Sequence, residues 1–361
     1  MKSKNTLRVV YSRKTIDFVV QMLKATVFHL SFPFFIIPCI KLYGVTNESL
    51  AFNIAAIYGV ILIVIKTAIA FHQRKQRQGD KIEWDDEIVL ITGGASGIGL
   101  LLAESLAIRR VSVVVLDVKH VETASDIDSY ICDVSNPAEI ARVAAQIRED
   151  VGEPTIIVNN AGIVIGKSIL DLSTDDIKKT MDVNFLGQAF IIKEFLPNLI
   201  KNNHGHIITL SSVMGITSAP KVADYCASKA AVKSFHEALE SEIKYVYKTP
   251  GVKTTLVCPA RVETGMFKGV RERLPFFTPA LEPLQVVCQI METMEQRRGR
   301  NQIMMPFFVN LVPLVSILPF WVTDLAQWAS GANTAMDTFE GRGTTSENTA
   351  NAAEAESRKD I

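Results

Sequence analysis

The 361-residue sequence lacks an excess of either charge: 38 basic residues balance 38 acidic ones. No global field recruits nucleic acid or an anionic surface, so a nucleic-acid role is not expected. Paired cysteines are also lacking. The five present, Cys39, Cys132, Cys226, Cys258 and Cys288, are odd in number, scattered, and without Cys-x-x-Cys or His-pair spacing. This speaks against a disulfide framework and a zinc site, and fits reduced thiols serving as small apolar filler in a cytosol-facing protein. No metal site is expected. There is no internal repeat, and nothing resembles a cleaved signal peptide: the apolar blocks begin late, come as a pair and are followed by more basic charge.

What the sequence does have is two apolar blocks near its start, from Ala25 to Ile40 and from Ser49 to Phe71. A bilayer core needs about 20 apolar residues in a helix, which the second block meets if Lys66 snorkels to the interface. It reads as a membrane span. The first block is shorter and carries Pro33 and Pro38, so it reads as a kinked span or as half of a hairpin entering one leaflet. Lys2, Lys4, Arg8, Arg13 and Lys14 precede the pair, and Arg74, Lys75, Arg77 and Lys81 follow it, with only Lys41 between. By the positive-inside tendency both flanks are cytosolic. Core helices of a soluble protein are the alternative.

Beyond a basic linker, apolar strand-like runs alternate with helical stretches. The runs are Glu87 to Thr92, Val111 to Asp117, Tyr130 to Asp133, Thr155 to Asn160, His206 to Ser212, Lys253 to Pro259 and Asn301 to Pro306. Their near-continuous β-branched character suits strands covered on both faces, which predicts an α/β fold with a doubly wound parallel sheet. Phe307 to Val322 is apolar but broken by Pro313 and Pro319, and reads as a helix pair in the membrane interface or lining an apolar mouth. The expected division is an anchor over 1–72, a linker over 73–86, a catalytic domain over 87–306, a membrane-associated segment over 307–330 and a disordered tail over 331–361.

Three constellations carry chemistry. Gly93, Gly94, Gly97 and Gly99 form a turn between a strand and a helix, where backbone N–H groups and the helix dipole can hold a phosphate. The spacing differs from Gly-x-Gly-x-x-Gly, so its surroundings decide. Asp117, at the end of the second strand, can accept hydrogen bonds from an adenosine ribose and would repel a 2′-phosphate, favouring NAD over NADP; Arg109, Arg110 and Lys119 nearby weaken that preference. Tyr225 and Lys229, four apart, share one helix face, where an ammonium can lower a phenol's pKa and create a general acid or base. Ser212 lies thirteen residues upstream of the tyrosine, and Asn184 sits in "DVNFLG".

With these residues the sequence resembles the short-chain dehydrogenase/reductase family from about Asp86 to Met305. Its cofactor motif is matched by "TGGASGIG", which holds Gly93, Ser96, Gly97, Ile98 and Gly99. Its adenine-pocket aspartate is matched by Asp133 with Val134 beside it, and its "NNAG" by Asn159 to Gly162, including Asn160 and Gly162. Its later Pro-Gly-x-Val-x-Thr element is matched by Pro259, Val262 and Thr264, with Ala260 replacing the glycine. The backbone contact expected from Val262 does not require that glycine. The resemblance implies a Rossmann fold and NAD(P). It further implies that Tyr225 moves the substrate hydroxyl proton, that Lys229 lowers the tyrosine's pKa and holds the nicotinamide ribose, that Ser212 orients the reacting oxygen, and that Asn184 holds a relaying water.

The flanking apolar segments and "VETGMF" resemble the branch that holds retinol dehydrogenases and lipid-droplet 17-beta-hydroxysteroid dehydrogenases, and the paired N-terminal blocks its fungal members. That branch implies a lipophilic alcohol or ketone as substrate, at the endoplasmic reticulum or a lipid droplet, with the catalytic domain facing the cytosol. The family implies a homodimer or homotetramer. The segment from Phe267 to Pro283 falls where such folds place a substrate lid, and its Leu274, Phe276, Phe277 and Leu281 read as a cover for a hydrophobic substrate or as groups that dock on lipid. Two other readings stay open: an NADPH-dependent reductase of a lipid-biosynthetic ketone, and a non-catalytic membrane scaffold that senses nicotinamide nucleotide.

Overall fold

A computed structural model describes residues 15–341, apart from 30–31, 43, 45, 47–48, 77–81, 124, 271, 297–300 and 316. Lys2 to Lys14, Arg77, Lys81 and the tail from 342 onward lie outside the described residues. The N-terminal part holds three helices, α1 (Ile16–Ala25), α2 (Phe32–Leu42) and α3 (Leu50–Gln76). At 27 residues α3 is about 40 Å long, and its stretch from Leu50 to Ala68 makes it the one helix among the described residues long and apolar enough to cross a membrane. The 11 residues of α2 reach only about 16 Å, short of a bilayer's apolar thickness. It leans on α3 instead. Phe32 stacks edge-on to Tyr58 at 6.4 Å, Tyr58 Oη donates to the Val27 carbonyl at 2.7 Å, and Lys41 lies 5.5 Å over the Phe52 ring.

Helix α1, which no apolar block of the sequence announces, docks against the turn at Phe307–Leu311. Ile16 N–H donates to the Phe276 carbonyl (2.9 Å), and the buried Asp17 carboxylate accepts from Phe307 N–H (2.7 Å). One backbone bond and one side-chain bond thus tie α1 to the segments around Phe276 and Phe307. The linker begins late, since α3 runs to Gln76, and ends early, since Ile82 and Trp84 pack on the core.

All seven expected strands form: β1 (Ile88–Thr92), β2 (Ser112–Asp117), β3 (Asp128–Ile131), β4 (Ile156–Asn159), β5 (Gly205–Leu210), β6 (Val252–Pro259) and β7 (Asn301–Met305). Every pairing is parallel, in the order β3-β2-β1-β4-β5-β6-β7. Between them run α4 (Gly97–Ala107), α5 (Pro137–Asp150), α6 (Thr174–Met181), α7 (Gly187–Asn202), α8 (Ala223–Glu242) and α9 (Pro283–Gln296). Side chains of a strand alternate between faces. Val89, Ile91 and Val115 therefore pack on Leu102 and Leu106 of α4 and Ile290 of α9, while Leu90, Val114 and Leu116 pack on Ile147 of α5 and Phe195 of α7. This is the doubly wound sheet that buried strands predict.

His236 of α8 tests that burial. It is 2% exposed, its Nδ1 lies 2.8 Å from Thr209 Oγ1, and burial pushes its pKa down to about 4. Because the folded pKa lies below the unfolded value of about 6.5, the unfolded chain binds the proton first, and stability falls as pH drops from about 6.5 towards 4. We expect about 2 kcal/mol to be lost by pH 5 from this group. His236→Gln should lose less melting temperature between pH 7 and pH 5 than the wild type; an equal loss would contradict the assignment.

After β7 a 3-10 turn (Phe307–Leu311) leads to α10 (Val312–Val315) and α11 (Phe320–Ser330), which expose Phe320, Trp321, Leu325 and Trp328. The expected disorder from residue 331 does not start there. Residues 331–341 turn back over the catalytic domain, with Lys221 paired to Asp337 (2.6 Å) and Thr338 Oγ1 donating to the Gly269 carbonyl (2.7 Å). Met336 is buried.

Candidate active site

A cavity of about 500 Å³ opens at the carboxyl ends of β1 and β4, where the strand order reverses direction. Open α/β sheets bind ligands at this switch point. The turn after β1 is shaped for a close approach. Gly93 and Gly97 take φ of 67° and 60°, a region costly for residues with a Cβ. Asn160, just after β4, clamps the turn: its Nδ2 donates to the carbonyls of Thr92 (3.0 Å) and Gly93 (2.9 Å), and its N–H to Thr92 Oγ1 (3.1 Å). Ser96, the N-cap of α4, makes no side-chain capping bond, and the first turn of that helix carries no acidic residue. Ser96 and Ile98 line the cavity. A helix N-terminus without a competing carboxylate and with an unengaged capping hydroxyl fits the pyrophosphate of a dinucleotide.

Two carboxylates line the far end of the cavity. Asp117 Oδ2 accepts from Ala95 N–H (2.9 Å) and Oδ1 from Lys119 N–H (3.2 Å), so the strand end is tied to the glycine turn. Asp133, beside Val134, accepts from Ser135 N–H (2.9 Å) and Oγ (2.7 Å). Arg109 turns away and pairs with Glu295. Pro259, Val262 and Thr264 line the cavity near its opposite end, and Ala260, which donates its N–H to the Met305 carbonyl (2.8 Å), does not adopt a positive φ. Alanine therefore fits there without strain.

Ser212, Tyr225 and Lys229 come together at the cavity wall, all buried. Ser212 caps the turn at Val213–Gly215 through Met214 N–H (3.1 Å) and lies on the same cavity wall as the Tyr225 phenol. Burial pushes the phenol up to about 12, against a lowering by Ser212. Lys229, pushed down to about 8 by burial, donates to the Leu210 carbonyl (3.0 Å), and its Nζ lies 5.8 Å from the Tyr225 ring centre. Burial therefore sets the direction of the phenol's shift, and Lys229 is not among the groups that lower it.

Asn184, fully buried, does not line the cavity but backs it. It sits in a π-helical turn (Asp182–Leu186) between α6 and α7, a distortion frequent at functional sites. Its Oδ1 accepts from Ile163 N–H (2.7 Å), and its Nδ2 donates to the Ile163 carbonyl and to Ser228 Oγ (both 3.0 Å). Its side chain therefore braces the loop after β4, leaving none of its amide hydrogens for a water. Gly162 lies in that loop: a Cβ there would come within 3.3 Å of Asn184 Oδ1 and 3.5 Å of Lys229 Nζ. Gly97 and Gly99 likewise shape the turn from beneath the lining.

Of the two readings of the 267–283 segment, its four named apolar residues do not fit the substrate cover. Leu281 is in the main core, paired with Val262, while Leu274, Phe276 and Phe277 are exposed and outside the cavity lining. The apolar wall comes from Phe267 and Val270, and from Ala332, Ala335 and Met336 of the C-terminal segment. That last group was missed because the segment reads as polar tail. Its only signal was the apolar pair Met336 and Phe339 at helical spacing.

Residues 87–275 match the profile of the short chain dehydrogenase family. The chain is 38% identical to epidermal retinol dehydrogenase 2 of Mus musculus over 283 residues, covering 74% of this chain and 88% of that protein. The chain belongs to the short-chain dehydrogenase family. Within it, short-chain dehydrogenase/reductase 3 of Homo sapiens is 38% identical (71% and 87% covered), and retinol dehydrogenase 10 of Rattus norvegicus 36% identical (65% and 79% covered). The similarity thus falls in the branch that holds retinol dehydrogenases. The Thermoplasma acidophilum aldohexose dehydrogenase has the same fold, with a TM-score of 0.53 at 22% identity over 61% of this chain and 92% of that one. As a short-chain dehydrogenase the chain is an oxidoreductase that uses NAD(P) to interconvert an alcohol and a carbonyl compound.

Proposed function

We propose that this short-chain dehydrogenase is a membrane-anchored enzyme, NAD-preferring, that interconverts a lipophilic alcohol and its aldehyde or ketone. Retinoids, steroids and long-chain alcohols are the substrate class. The observation that carries the reading is the joining of Ser212 and Tyr225 to a cavity wall of Val222, Phe267, Val270 and Met336. Relatives named retinol dehydrogenases support the substrate class. The 19-residue apolar stretch of α3, most of it exposed, supports the anchor. The basic residues flanking the apolar pair favour a cytosol-facing catalytic domain, on the endoplasmic reticulum or a lipid droplet.

In this reading Gly93, Ser96, Ile98 and the N-terminus of α4 hold the pyrophosphate, Asp117 the adenosine ribose, and Asp133 and Val134 the adenine. Asn160 and Gly162 shape the middle of the site, and Pro259, Val262 and Thr264 border the nicotinamide. Bound nicotinamide supplies the hydride acceptor or donor. Ser212 Oγ holds the substrate oxygen beside Tyr225 Oη, which takes its proton on oxidation and returns one on reduction. Lys229 holds positive charge one helical turn away, which favours the phenolate once formed. Asn184 keeps the floor of the site in place.

The test is absorbance at the reduced-nicotinamide band with detergent-solubilised full-length protein and a panel of retinol, steroid alcohols and long-chain alcohols. Turnover of at least one class with NAD is expected, and cofactor binding without turnover in either direction would overturn the reading. Cofactor choice has its own test. The Asp117 carboxylate would face a 2′-phosphate across a few ångströms, and Arg109 is already paired. Asp117→Ser should therefore shift the NADP-to-NAD affinity ratio at least about tenfold towards NADP, and an unchanged ratio would remove Asp117 from the argument.

A further inference from the structure

We infer that Met336 is a specificity-determining residue: carried by the segment after α11, it forms the adjustable wall against which an apolar substrate chain lies beside Tyr225. The inference rests on the proposed dehydrogenase reading and adds the residue that sets substrate bulk. Met336 is 7% exposed and packs with Val222, Tyr225 and Cys226, and it lines the same cavity as Ser212. Phe267 completes the wall, edge-on to Tyr225 at 5.7 Å, and Phe339 backs Phe267 at 6.3 Å. An unbranched thioether with three rotatable bonds suits a wall that must adapt to a ligand.

The segment is fastened to the rim of the site rather than to the protein's outer surface. Asp337 pairs with Lys221, Thr338 Oγ1 bonds the Gly269 carbonyl, and Glu340 N–H donates to the Lys268 carbonyl (2.9 Å). Phe339 lies on Gly166, where a Cβ would meet its ring at 2.3 Å. Gly166 is thus shaped to receive the C-terminal segment from a loop that leads out of the active site. At its other end the segment continues from α11, whose exposed Phe320, Trp321, Leu325 and Trp328 make an apolar face. The bulk of one side chain here decides which alcohols reach Tyr225 and Ser212.

The experiment compares Met336→Ala, Met336→Phe and the conservative Met336→Leu with the wild type, in the full chain. A series of primary alcohols of rising bulk is used, and kcat/KM is read beside the melting-temperature shift each alcohol produces. Met336→Ala should move the ratio of bulky to slim substrates about tenfold upward, and Met336→Phe about tenfold downward, with Met336→Leu near the wild type and NAD affinity within about twofold. Gly166→Ala, which displaces Phe339 without touching the cavity, should shift the same ranking. The melting shifts report binding without turnover. An altered ranking with no turnover by the wild type would sink the dehydrogenase reading and leave Met336 standing. An unaltered ranking in both Met336 variants, or no shift with any alcohol, would overturn the inference.

Discussion

Tyr225→Phe is expected to lower turnover about a thousandfold, in the range measured for positioned general acids and bases, while NAD affinity stays within about threefold. That is roughly 4 kcal/mol of transition-state stabilisation. The ring itself keeps its neighbours, because Phe267, Val222 and Met336 pack around it and the substitution removes only the hydroxyl on the Ser212 side of the cavity. Melting temperature should therefore move by only a few degrees, which separates lost chemistry from lost fold. Retained turnover would remove Tyr225 from the mechanism and favour a cofactor-binding scaffold. The pH profile gives a second readout. With burial pushing the phenol up to about 12, Tyr225 holds its proton ready as the acid for reduction. The alkaline limb then belongs to Lys229, pushed down to about 8. As pH rises through that value the ammonium is lost, and with it the charge that favours the phenolate left behind; the reductive rate should fall above about 8.

The sheet and the meeting of Ser212, Tyr225 and Lys229 at one cavity were legible because each leaves a pattern in the chain. Buried parallel strands must be apolar on both faces, so Val113 to Leu116 and Ile156 to Val158 announce themselves without alternation. Tyr225 and Lys229 lie one helical turn apart, and the glycine turn precedes α4. What stayed hidden depends on contacts distant in sequence. Met336 is one apolar residue in a polar stretch, and only its packing on Tyr225 makes it part of the site. Leu281 belongs by position to the segment where such folds place a lid, yet the pairing with Val262 draws it into the core. The π turn at Asn184 has no sequence signature, and α1 owes its place to bonds with Phe276 and Phe307, some 260 and 290 residues away. Helical spacing shows that Lys229 is near Tyr225, but not that both are desolvated.

Gly99→Ala should abolish measurable cofactor binding, and it should do so through backbone. A Cβ at this position would lie 2.3 Å from the Gly93 carbonyl oxygen and 2.6 Å from Asn160 Nδ2. Neither atom is free to retreat: Gly93 N–H is bonded to the Leu116 carbonyl at 2.7 Å, and Asn160 Nδ2 holds both Thr92 and Gly93. The glycine turn must rebuild to admit one methyl group, losing the Asn160 bonds and the shape that faces the pyrophosphate. Unsatisfied buried carbonyls add about 1–3 kcal/mol each to the destabilisation. Gly94→Ala separates this from ordinary crowding. Its Cβ would meet the Val115 side chain, at 2.6 Å from Cγ1, and no backbone atom is among its nearest contacts. Overpacking of that kind costs about 1–3 kcal/mol and is relieved when the opposing side chain shrinks. Val115→Ala should therefore restore much of the cofactor affinity lost in Gly94→Ala, giving a favourable coupling in a double-mutant cycle. The same Val115→Ala should leave Gly99→Ala unrescued. Calorimetric titration with NAD decides between them: rescue of both would mean that the turn yields as a whole, and rescue of neither that Gly94 also meets something firmer than Val115.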